Sequence, residues 1–188
     1  MNHIQLFHNI SGGYIMSITY RLLKKEEFSS VYKLMQASFP PAELRSFQDA
    51  ITLFSNPSYR ILIAEKNKII EAFIAEWCFE KFHYIEHFAV HPKTRGNGLG
   101  SKIMREYQKQ LNCPVIIEVE AFATKESKRR ISFYERLDFK LSDIKYLQPI
   151  LQKNTKSVPL CLMCYPSSIE KEALLNMKDY IFEFVYRL

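Results

Sequence analysis

Residues 88–101 read FAVHPKTRGNGLGS and pass from the end of an apolar strand, through a glycine-rich turn, into a helix. The helix is indicated by apolar residues at spacings of three and four, namely Leu99, Ile103, Met104, Tyr107 and Leu111. Such a turn leaves the first N–H groups of the helix unpaired, and together with the positive end of the helix dipole they suit a pyrophosphate. The stretch therefore predicts an anion-binding turn, with Arg95 as an additional charged donor.

Two other glycine-rich motifs do not fit this turn. A dinucleotide-binding fingerprint that began at Gly96 would need a third glycine at Ser101. One that began at Gly98 would need it at Ile103. A P-loop would need the order Gly-Lys-Ser/Thr at the helix start, whereas residues 100–102 read GSK. A plain structural turn remains the alternative to an anion-binding one.

The segments on either side of the turn predict a mixed sheet covered by helices. Strands are expected where β-branched and aromatic residues lie between short polar turns, at 17–22, 59–65, 69–78, 84–90, 114–120, 139–150 and 158–165. Helices are expected where apolar residues recur at helical spacing, at 24–38, 42–54, 98–112 and 126–137. The second and third strands form an antiparallel hairpin. The later strand, helix, strand order requires parallel neighbours at the centre of the sheet.

The chain is expected to form one folded unit with an addition at each end. Residues 17–165 form the domain, 1–16 precede it as an extension, and 166–188 contain a final helix. Ser167 and Glu170 can form a capping box at the start of this helix. Because both of its sides carry large apolar residues, we expect it to pack on the domain or on a second copy of the chain, in a homodimer.

Two motifs give the chain a family resemblance. Residues 95–100, RGNGLG, follow a strand end that reads VHP and resemble the acetyl-CoA motif R/Q-x-x-G-x-G/A of the GNAT superfamily. Residues 133–137, FYERL, resemble the later YE+LGF motif of the same family. The resemblance covers residues 17–165. It implies an α/β (α+β) GNAT fold, with a mixed, splayed sheet of six to seven strands and helices on both faces.

The resemblance also implies an activity, the transfer of an acetyl group from acetyl-CoA to a primary amine of a small molecule or peptide by direct attack. In the family the amides of the turn bind CoA, and here the turn consists of Arg95, Gly96, Asn97, Gly98, Leu99, Gly100 and Ser101. The strand before the turn binds the pantetheine arm, which assigns Phe88, Ala89 and Val90 to the cofactor. The amide of Val90 is the expected donor to the oxyanion.

Tyr134 matches the tyrosine that the family places beside the CoA sulfur, both as a cofactor contact and as a general acid. A core tyrosine is the alternative, because its spacing from Ile131 fits helix packing equally well. Two positions depart from the family pattern: Ser127 stands where Asn is common, and Asp138 replaces the glycine of the LGF phrase. Aspartate tolerates the left-handed conformation of such a position, so we expect the fold to be preserved.

The acceptor amine needs a base, because an ammonium with a pKa of about 10.4 is almost wholly charged at neutral pH and cannot attack. Glu86 is one candidate, since it lies in the strand beside the thioester. Glu118 is the other, since it matches the position where some family members carry their base. Glu120 shares its face and is the reserve, and His87 is a candidate proton carrier. A paired or solvated carboxylate is the alternative for each glutamate.

No metal site is expected. His83, His87 and His91 are spaced by four in a strand, where they share one face over about 26 Å and cannot bind one ion. Cys161 and Cys164 form a CxxC in a strand, face opposite sides and lack a second ligand pair. All four cysteines lie in apolar runs, which favours free thiols in a reducing, cytoplasmic environment.

Composition limits the possible partners. The 188 residues are 47% hydrophobic, enough for a full core, and carry a net charge of +6 that suits an anionic partner without identifying it. Dispersed basic residues disfavour a nucleic-acid module. No run is long enough for a membrane span, and residues 1–15 lack the pattern of a secretory signal. Segments 24–54 and 146–159 are expected to wall the acceptor pocket, and a CoA-binding sensor without catalysis is the alternative function.

Overall fold

The computed structural model describes residues 18–120 and 124–186, so the predicted extension at 1–16 lies outside the described residues. The strands in these ranges are β1 Thr19–Leu22, β2 Tyr59–Lys66, β3 Ile69–Cys78, β4 His83–Val90, β5 Val115–Glu120, β6 Lys140–Gln148 and β7 Val158–Tyr165. The α-helices are α1 Phe28–Gln36, α2 Phe47–Thr52, α3 Leu99–Gln108, α4 Lys125–Glu135 and α5 Lys171–Phe184. None of these helices is long and apolar enough to cross a bilayer.

The strands form one sheet in the order β1-β2-β3-β4-β5-β7-β6. Neighbouring strands are antiparallel except β4 and β5, which run parallel. Helix α3 supplies the crossover between these two strands, as the order of elements predicted. Strand β7 lies between β5 and β6, so the last two strands in sequence form an antiparallel pair at one edge. The predicted mixed sheet with helices on both faces is confirmed.

A β-bulge at Glu86 interrupts the regular alternation of β4. The pairing with β3 steps from Glu76 opposite Ile85 to Ala75 opposite His87, which leaves Glu86 without a partner in β3. One extra residue in a strand reverses the faces on which the following side chains lie. The bulge therefore places Glu86 and His87 on the same side of the sheet.

This reversal overturns the prediction that His83, His87 and His91 share one face. His83 lies on the side of α3, where its Nδ1 is 3.2 Å from the hydroxyl oxygen of Tyr107. His87 lies on the opposite side, where its ring packs edge to face on Phe39 at a centroid distance of 4.8 Å. The prediction assumed unbroken alternation, and the sequence carries no signal for the inserted residue.

The sheet separates two apolar layers. One layer packs beneath α1, α2 and α5 and contains Trp77, and the other packs beneath α3 and α4 and contains Met104; both side chains are fully buried. Cys161 belongs to the second layer and Cys164 to the first. The two cysteines of the CxxC therefore face opposite sides of the sheet, as predicted.

Two helix starts differ from the prediction. Instead of one helix at 42–54, Leu44 is extended, and α2 begins only after Ser46, whose hydroxyl oxygen accepts a hydrogen bond from the first turn. Helix α5 begins directly after the extended residue Glu170, which carries no side-chain cap. Ser167 therefore lies upstream of the cap position, out of reach of the first N–H groups of the helix, and the predicted capping box does not form.

Helix α5 packs on the first layer by one face. Leu174, Ile181 and Val185 are buried there. The ring of Tyr180 lies 4.9 Å from that of Phe79 at the end of β3. The helix thus packs on the same apolar layer as α1 and α2 and brings the end of the described chain to Arg45 and to Glu118 of β5.

Two adjacent leucines test this packing. Leu174→Ala should lower the free energy of unfolding by about 2 to 5 kcal/mol, because it leaves a cavity under α5. Leu175→Ala is the matched control, since Leu175 is 37% exposed and Leu174 is 4% exposed. It should cost less than about 1 kcal/mol. Urea unfolding at one pH measures both, and equal losses would contradict the packing of α5 on the sheet.

Candidate active site

Strands β4 and β5 pair over a short distance and then separate. The parallel ladder joins residues 83–85 to residues 115–117. Beyond it, β4 remains paired with β3 and β5 with β7. A pocket of about 640 Å³ opens where the two strands separate. The ends of both strands, the turn before α3, helix α4 and the segment between α1 and α2 form its walls.

The free edge of β4 lines this pocket with residues 88–90. The amide of His91 donates to the carbonyl oxygen of Glu71 in the β3 segment at 2.7 Å. Because N–H groups alternate in direction along a strand, the amide of Val90 points away from β3, toward the open side. The carbonyl oxygen of Val90 accepts a hydrogen bond from Nε of Arg95 at 2.8 Å. Arg95 therefore fixes the turn to the end of the strand.

Two glycines of the turn adopt backbone conformations that other residues avoid. Gly96 has φ of +88° and Gly98, which directly precedes α3, has φ of +75°. Gly100 is constrained by space, since a Cβ there would lie 3.3 Å from Val90 and 3.5 Å from Phe133. A side chain at position 100 would therefore crowd the side chains of Val90 and Phe133, and glycine leaves this contact unstrained.

The start of α3 presents unpaired amides. The first hydrogen bond of the helix runs from the amide of Lys102 to the carbonyl oxygen of Gly98 at 3.0 Å. The amides of residues 99–101 precede it and have no acceptor within the helix. These three residues line the pocket. Asn97 faces an adjoining hollow of about 340 Å³, which Lys66 also lines.

Tyr134 lines the pocket from α4. Its ring packs edge to face on Phe133 and Phe139 at centroid distances of 5.1 and 5.4 Å. Burial raises the pKa of Tyr134 to about 12, against the lowering effect of Arg130. The hydroxyl therefore keeps its proton at neutral pH, and it forms no hydrogen bond within the described part of the chain. It is a proton donor without an acceptor of its own.

Glu86, a predicted base, is held from two sides. Nη1 of Arg45 forms an ion pair with one carboxylate oxygen, and Nε1 of Trp77 donates to the other at 2.8 Å. Nη2 of Arg45 donates to the carbonyl oxygen of Val185, at the end of α5, at 2.8 Å. The carboxylate lies against the pocket but is 4% exposed. Each oxygen of the Glu86 carboxylate thus already has one donor from the protein.

Glu118, the other predicted base, accepts hydrogen bonds from three tyrosine hydroxyls. Tyr84 and Tyr186 donate to Oε2 at 2.5 Å each, and Tyr146 donates to Oε1. Burial raises the pKa of Glu118, against the three hydroxyls, which favour its charged form. Tyr186 follows α5, and nothing in its sequence context distinguishes it from a core aromatic. This contact therefore could not be predicted from the sequence.

Glu43 is a pocket residue that the sequence analysis did not identify. It ends a 3-10 turn, Pro41–Glu43, between α1 and α2. Its Oε2 lies 3.8 Å from Nη1 of Arg130, whereas no hydrogen bond from the described residues reaches the buried Oε1. Burial raises the pKa of Glu43 to about 7, against Arg130, and Glu120 and Glu118 raise it further. Glu120, the reserve candidate for the base, thus contributes to the raised pKa of Glu43.

His87 joins Glu43 to β4. Its Nε2 lies 2.9 Å from the backbone carbonyl oxygen of Glu43, which assigns the N–H to Nε2. Burial lowers the pKa of His87 to about 4, against this hydrogen bond. The ring is therefore neutral at physiological pH, and its N–H is committed to a backbone oxygen. This arrangement positions Glu43 and disfavours the predicted role of His87 as a proton carrier.

The two departures from the family pattern have local structural roles. Ser127 forms a reciprocal capping box with Thr124 at the start of α4, with both hydrogen bonds at 3.0 Å. Asp138 has φ of +64°, the left-handed conformation that the sequence predicted for it. The amide of Phe139 then donates to the carbonyl oxygen of Tyr134 at 3.2 Å and closes the helix.

A second polar cluster lies outside the pocket. Possible ligand atoms of Glu76, Cys78 and His83 lie within 4.8 Å of one another. The buried Glu76 carboxylate already accepts hydrogen bonds from Nε of Arg60 at 2.7 Å and from the hydroxyl of Tyr107, and Nδ1 of His83 is 2.8 Å away. The charge of this carboxylate is thus balanced by protein groups.

Comparisons relate the chain to known proteins. Residues 57–141 match a family model described as an acetyltransferase (GNAT) domain. The Bacillus subtilis (strain 168) protein "Putative acetyltransferase YjbC" is 26% identical over 158 residues, 82% of this chain and 80% of that protein.

Two solved structures extend the likeness to the fold. A structure called "Putative acetyltransferase from GNAT family", from Bacteroides thetaiotaomicron, is 27% identical with a TM-score of 0.80 and covers 91% of this chain and 99% of that one. The structure of yncA from Salmonella typhimurium, solved with its cofactor acetyl-CoA, is 15% identical with a TM-score of 0.55 and covers 81% of this chain and 95% of that one. The second likeness is one of fold.

Proposed function

Because the chain belongs to the GNAT acetyltransferases, whose general reaction is acetyl transfer from acetyl-CoA, we propose that its pocket binds acetyl-CoA and passes the acetyl group directly to a primary amine of a small molecule or peptide. The observation that carries this proposal is the separation of β4 and β5 beside the glycine-rich turn. It surrounds one pocket with an open strand edge, the start of a helix and a tyrosine hydroxyl.

The turn and the strand edge form the cofactor side of the proposed site. The unpaired amides of residues 99–101 suit the pyrophosphate, and the dipole of α3 favours its negative charge. The pantetheine arm carries amide groups and can extend along residues 88–90 as an added strand. This binding mode uses backbone groups that would otherwise be left to water.

The amide of Val90 and the hydroxyl of Tyr134 serve the chemical step in this proposal. When an amine attacks the thioester, negative charge develops on the carbonyl oxygen, and a fixed N–H at that point stabilises it. The C–S bond then breaks, and the thiolate takes a proton from Tyr134. The raised pKa of Tyr134 keeps the hydroxyl protonated at neutral pH, so a proton is present beside the sulfur when the thiolate leaves.

The acceptor enters, in our proposal, on the side walled by segments 24–54 and 146–159. Support comes from the pocket lining on that side, which includes Phe39 and Glu43 from the first segment and Gln148 from the second. Tyr186, which follows α5, supports this side indirectly, because its hydroxyl donates to the lining residue Glu118. A carboxylate in this region accepts the amine's proton.

Acetyl-CoA at a hundred times its Kd should stabilise the protein by about 2.7 kcal/mol and raise its Tm, whereas NAD should not. Gly98→Asn should lose most of this shift, because asparagine tolerates the positive φ but adds a side chain to the turn. Thiol release in the presence of spermidine, kanamycin, glycine or a peptide with a free N-terminus then measures transfer. A melting shift without thiol release from any of these amines would leave a CoA-binding protein without the proposed activity.

Tyr134→Phe removes one hydroxyl and keeps the packed ring. Turnover should fall by about a hundredfold or more, the range for loss of a general acid, because the thiolate then leaves without a proton. The melting shift with acetyl-CoA should persist. Wild-type turnover in the variant would show that the hydroxyl takes no part in catalysis and that Tyr134 serves only in packing. Loss of the melting shift would make it a binding contact instead.

A further inference from the structure

Glu43 carries a buried carboxylate oxygen that the fold leaves unused. Its Oε1 has no hydrogen-bond partner among the described residues, and the nearest cation, Arg130, approaches the other oxygen at 3.8 Å. An unpaired buried polar atom destabilises a fold, because it loses its hydrogen bonds to water and gains none in return. Native structures retain such an atom where a ligand or water satisfies it. Because this oxygen belongs to a residue that lines the pocket, a donor on the bound ligand is the natural partner.

Three other carboxylates line the pocket, and one of them, Glu126 in the first turn of α4, is exposed. The other two already accept hydrogen bonds from protein groups. Glu86 is bound by the guanidinium of Arg45 and by the indole of Trp77. Glu118 has at least one tyrosine hydroxyl on each oxygen. A base must offer a free lone pair to the proton that it removes. Glu43 offers an oxygen that no donor of the described residues contacts, whereas each oxygen of Glu86 and Glu118 already accepts at least one hydrogen bond.

The fold also fixes the position of Glu43 relative to β4, the strand that lines the pocket with residues 88–90. Its backbone oxygen lies 2.9 Å from Nε2 of His87, and the ring of His87 is packed on Phe39. The bulge at Glu86 turns His87 to this side of the sheet. His87 lies on the same free edge as Val90, whose amide faces the open side of the pocket. The α1–α2 segment that carries Glu43 is thereby tied to the strand that binds the thioester in the proposed function.

Resting on that proposed function, we propose that Glu43 binds the acceptor amine through its free oxygen and takes up the proton that the nitrogen loses as it attacks the thioester. An ammonium loses two protons on its way to the amide. A C–N bond forms and the C–S bond breaks. One proton reaches the sulfur through Tyr134, and the other passes from Glu43 to solvent. The products are the amide, CoA as the thiol, and one proton.

The electrostatic surroundings of Glu43 fit this role. Arg130 faces it from α4, Glu118 and Glu120 face it from β5, and the neutral His87 faces it from β4. Burial and the two glutamates raise its pKa to about 7, against Arg130. A base with a pKa near the working pH combines a large deprotonated fraction with good proton affinity. The rate should therefore rise with pH through about 7 and then level, since only the charged carboxylate accepts a proton.

Glu43→Gln tests the proposal, because it keeps the shape of the side chain and removes its basicity. With the amine that the wild type turns over best among spermidine, kanamycin, glycine and the peptide, kcat/KM at pH 8 should fall by about a hundredfold or more. The rise of kcat/KM near pH 7 should disappear, while the melting shift with acetyl-CoA remains. Glu43→Asp should retain the rise at a reduced rate. Glu80→Gln, at an exposed glutamate in the turn between β3 and β4, should match the wild type.

The outcomes separate this inference from the proposed function. A Glu43→Gln variant that keeps wild-type kcat/KM and its rise near pH 7 would overturn the role of Glu43 alone. The same conclusion would follow if Glu118→Gln, and not Glu43→Gln, removed the rise. A wild-type protein that shows the acetyl-CoA melting shift but releases no thiol with any of the four amines would overturn the proposed transfer reaction, and this inference with it.

Discussion

The site depends on one constraint, the early end of the parallel ladder between β4 and β5. These strands pair only at residues 83–85 and 115–117, in the middle of a sheet whose other neighbouring strands pair over longer stretches. The extra residue at Glu86 bends β4 at the point of separation, and bulges increase local bending and twist. The unpaired backbone groups beyond it need partners. The pocket, the accessible amide of Val90 and the approach of the turn to the strand all follow from this separation.

Elements distant in sequence contact the carboxylates on one side of the pocket. Arg45 connects Glu86 to the end of α5 through the carbonyl oxygen of Val185, and Tyr186 reaches Glu118 from the same end. Buried charges persist only when they are paired or hydrogen-bonded, and these contacts satisfy both carboxylates. Glu43 differs because one of its oxygens is left open. The hydrogen-bond donors around each carboxylate thus distinguish Glu86 and Glu118, which have a donor on both oxygens, from Glu43, which has one oxygen left for a substrate.

Local patterns allowed the fold to be predicted, and non-local contacts limited the prediction of the site. The helix start at Gly98, the left-handed Asp138 and the opposed Cys161 and Cys164 each follow from spacing or backbone conformation. The bulge could not be predicted, because alternation continues through Glu86 without a break in the sequence. Glu43 was missed because a short turn after two prolines matches no catalytic motif, and its environment is created by α4, β4 and β5. The contact of Tyr186 depends on how α5 packs, which its helical pattern does not encode.

The central claim is that the separated strands hold the thioester between the amide of Val90 and the hydroxyl of Tyr134. A crystal structure with a non-transferable acetyl-CoA analogue tests this claim most directly. We predict that the oxygen in the place of the thioester carbonyl lies about 2.7 to 3.1 Å from the amide nitrogen of Val90. The sulfur, or its substitute, should face the Tyr134 hydroxyl, and the pyrophosphate should contact the amides of residues 99–101. An analogue bound with its acyl group outside the separation of β4 and β5, or with Tyr134 turned away from the sulfur, would contradict the claim.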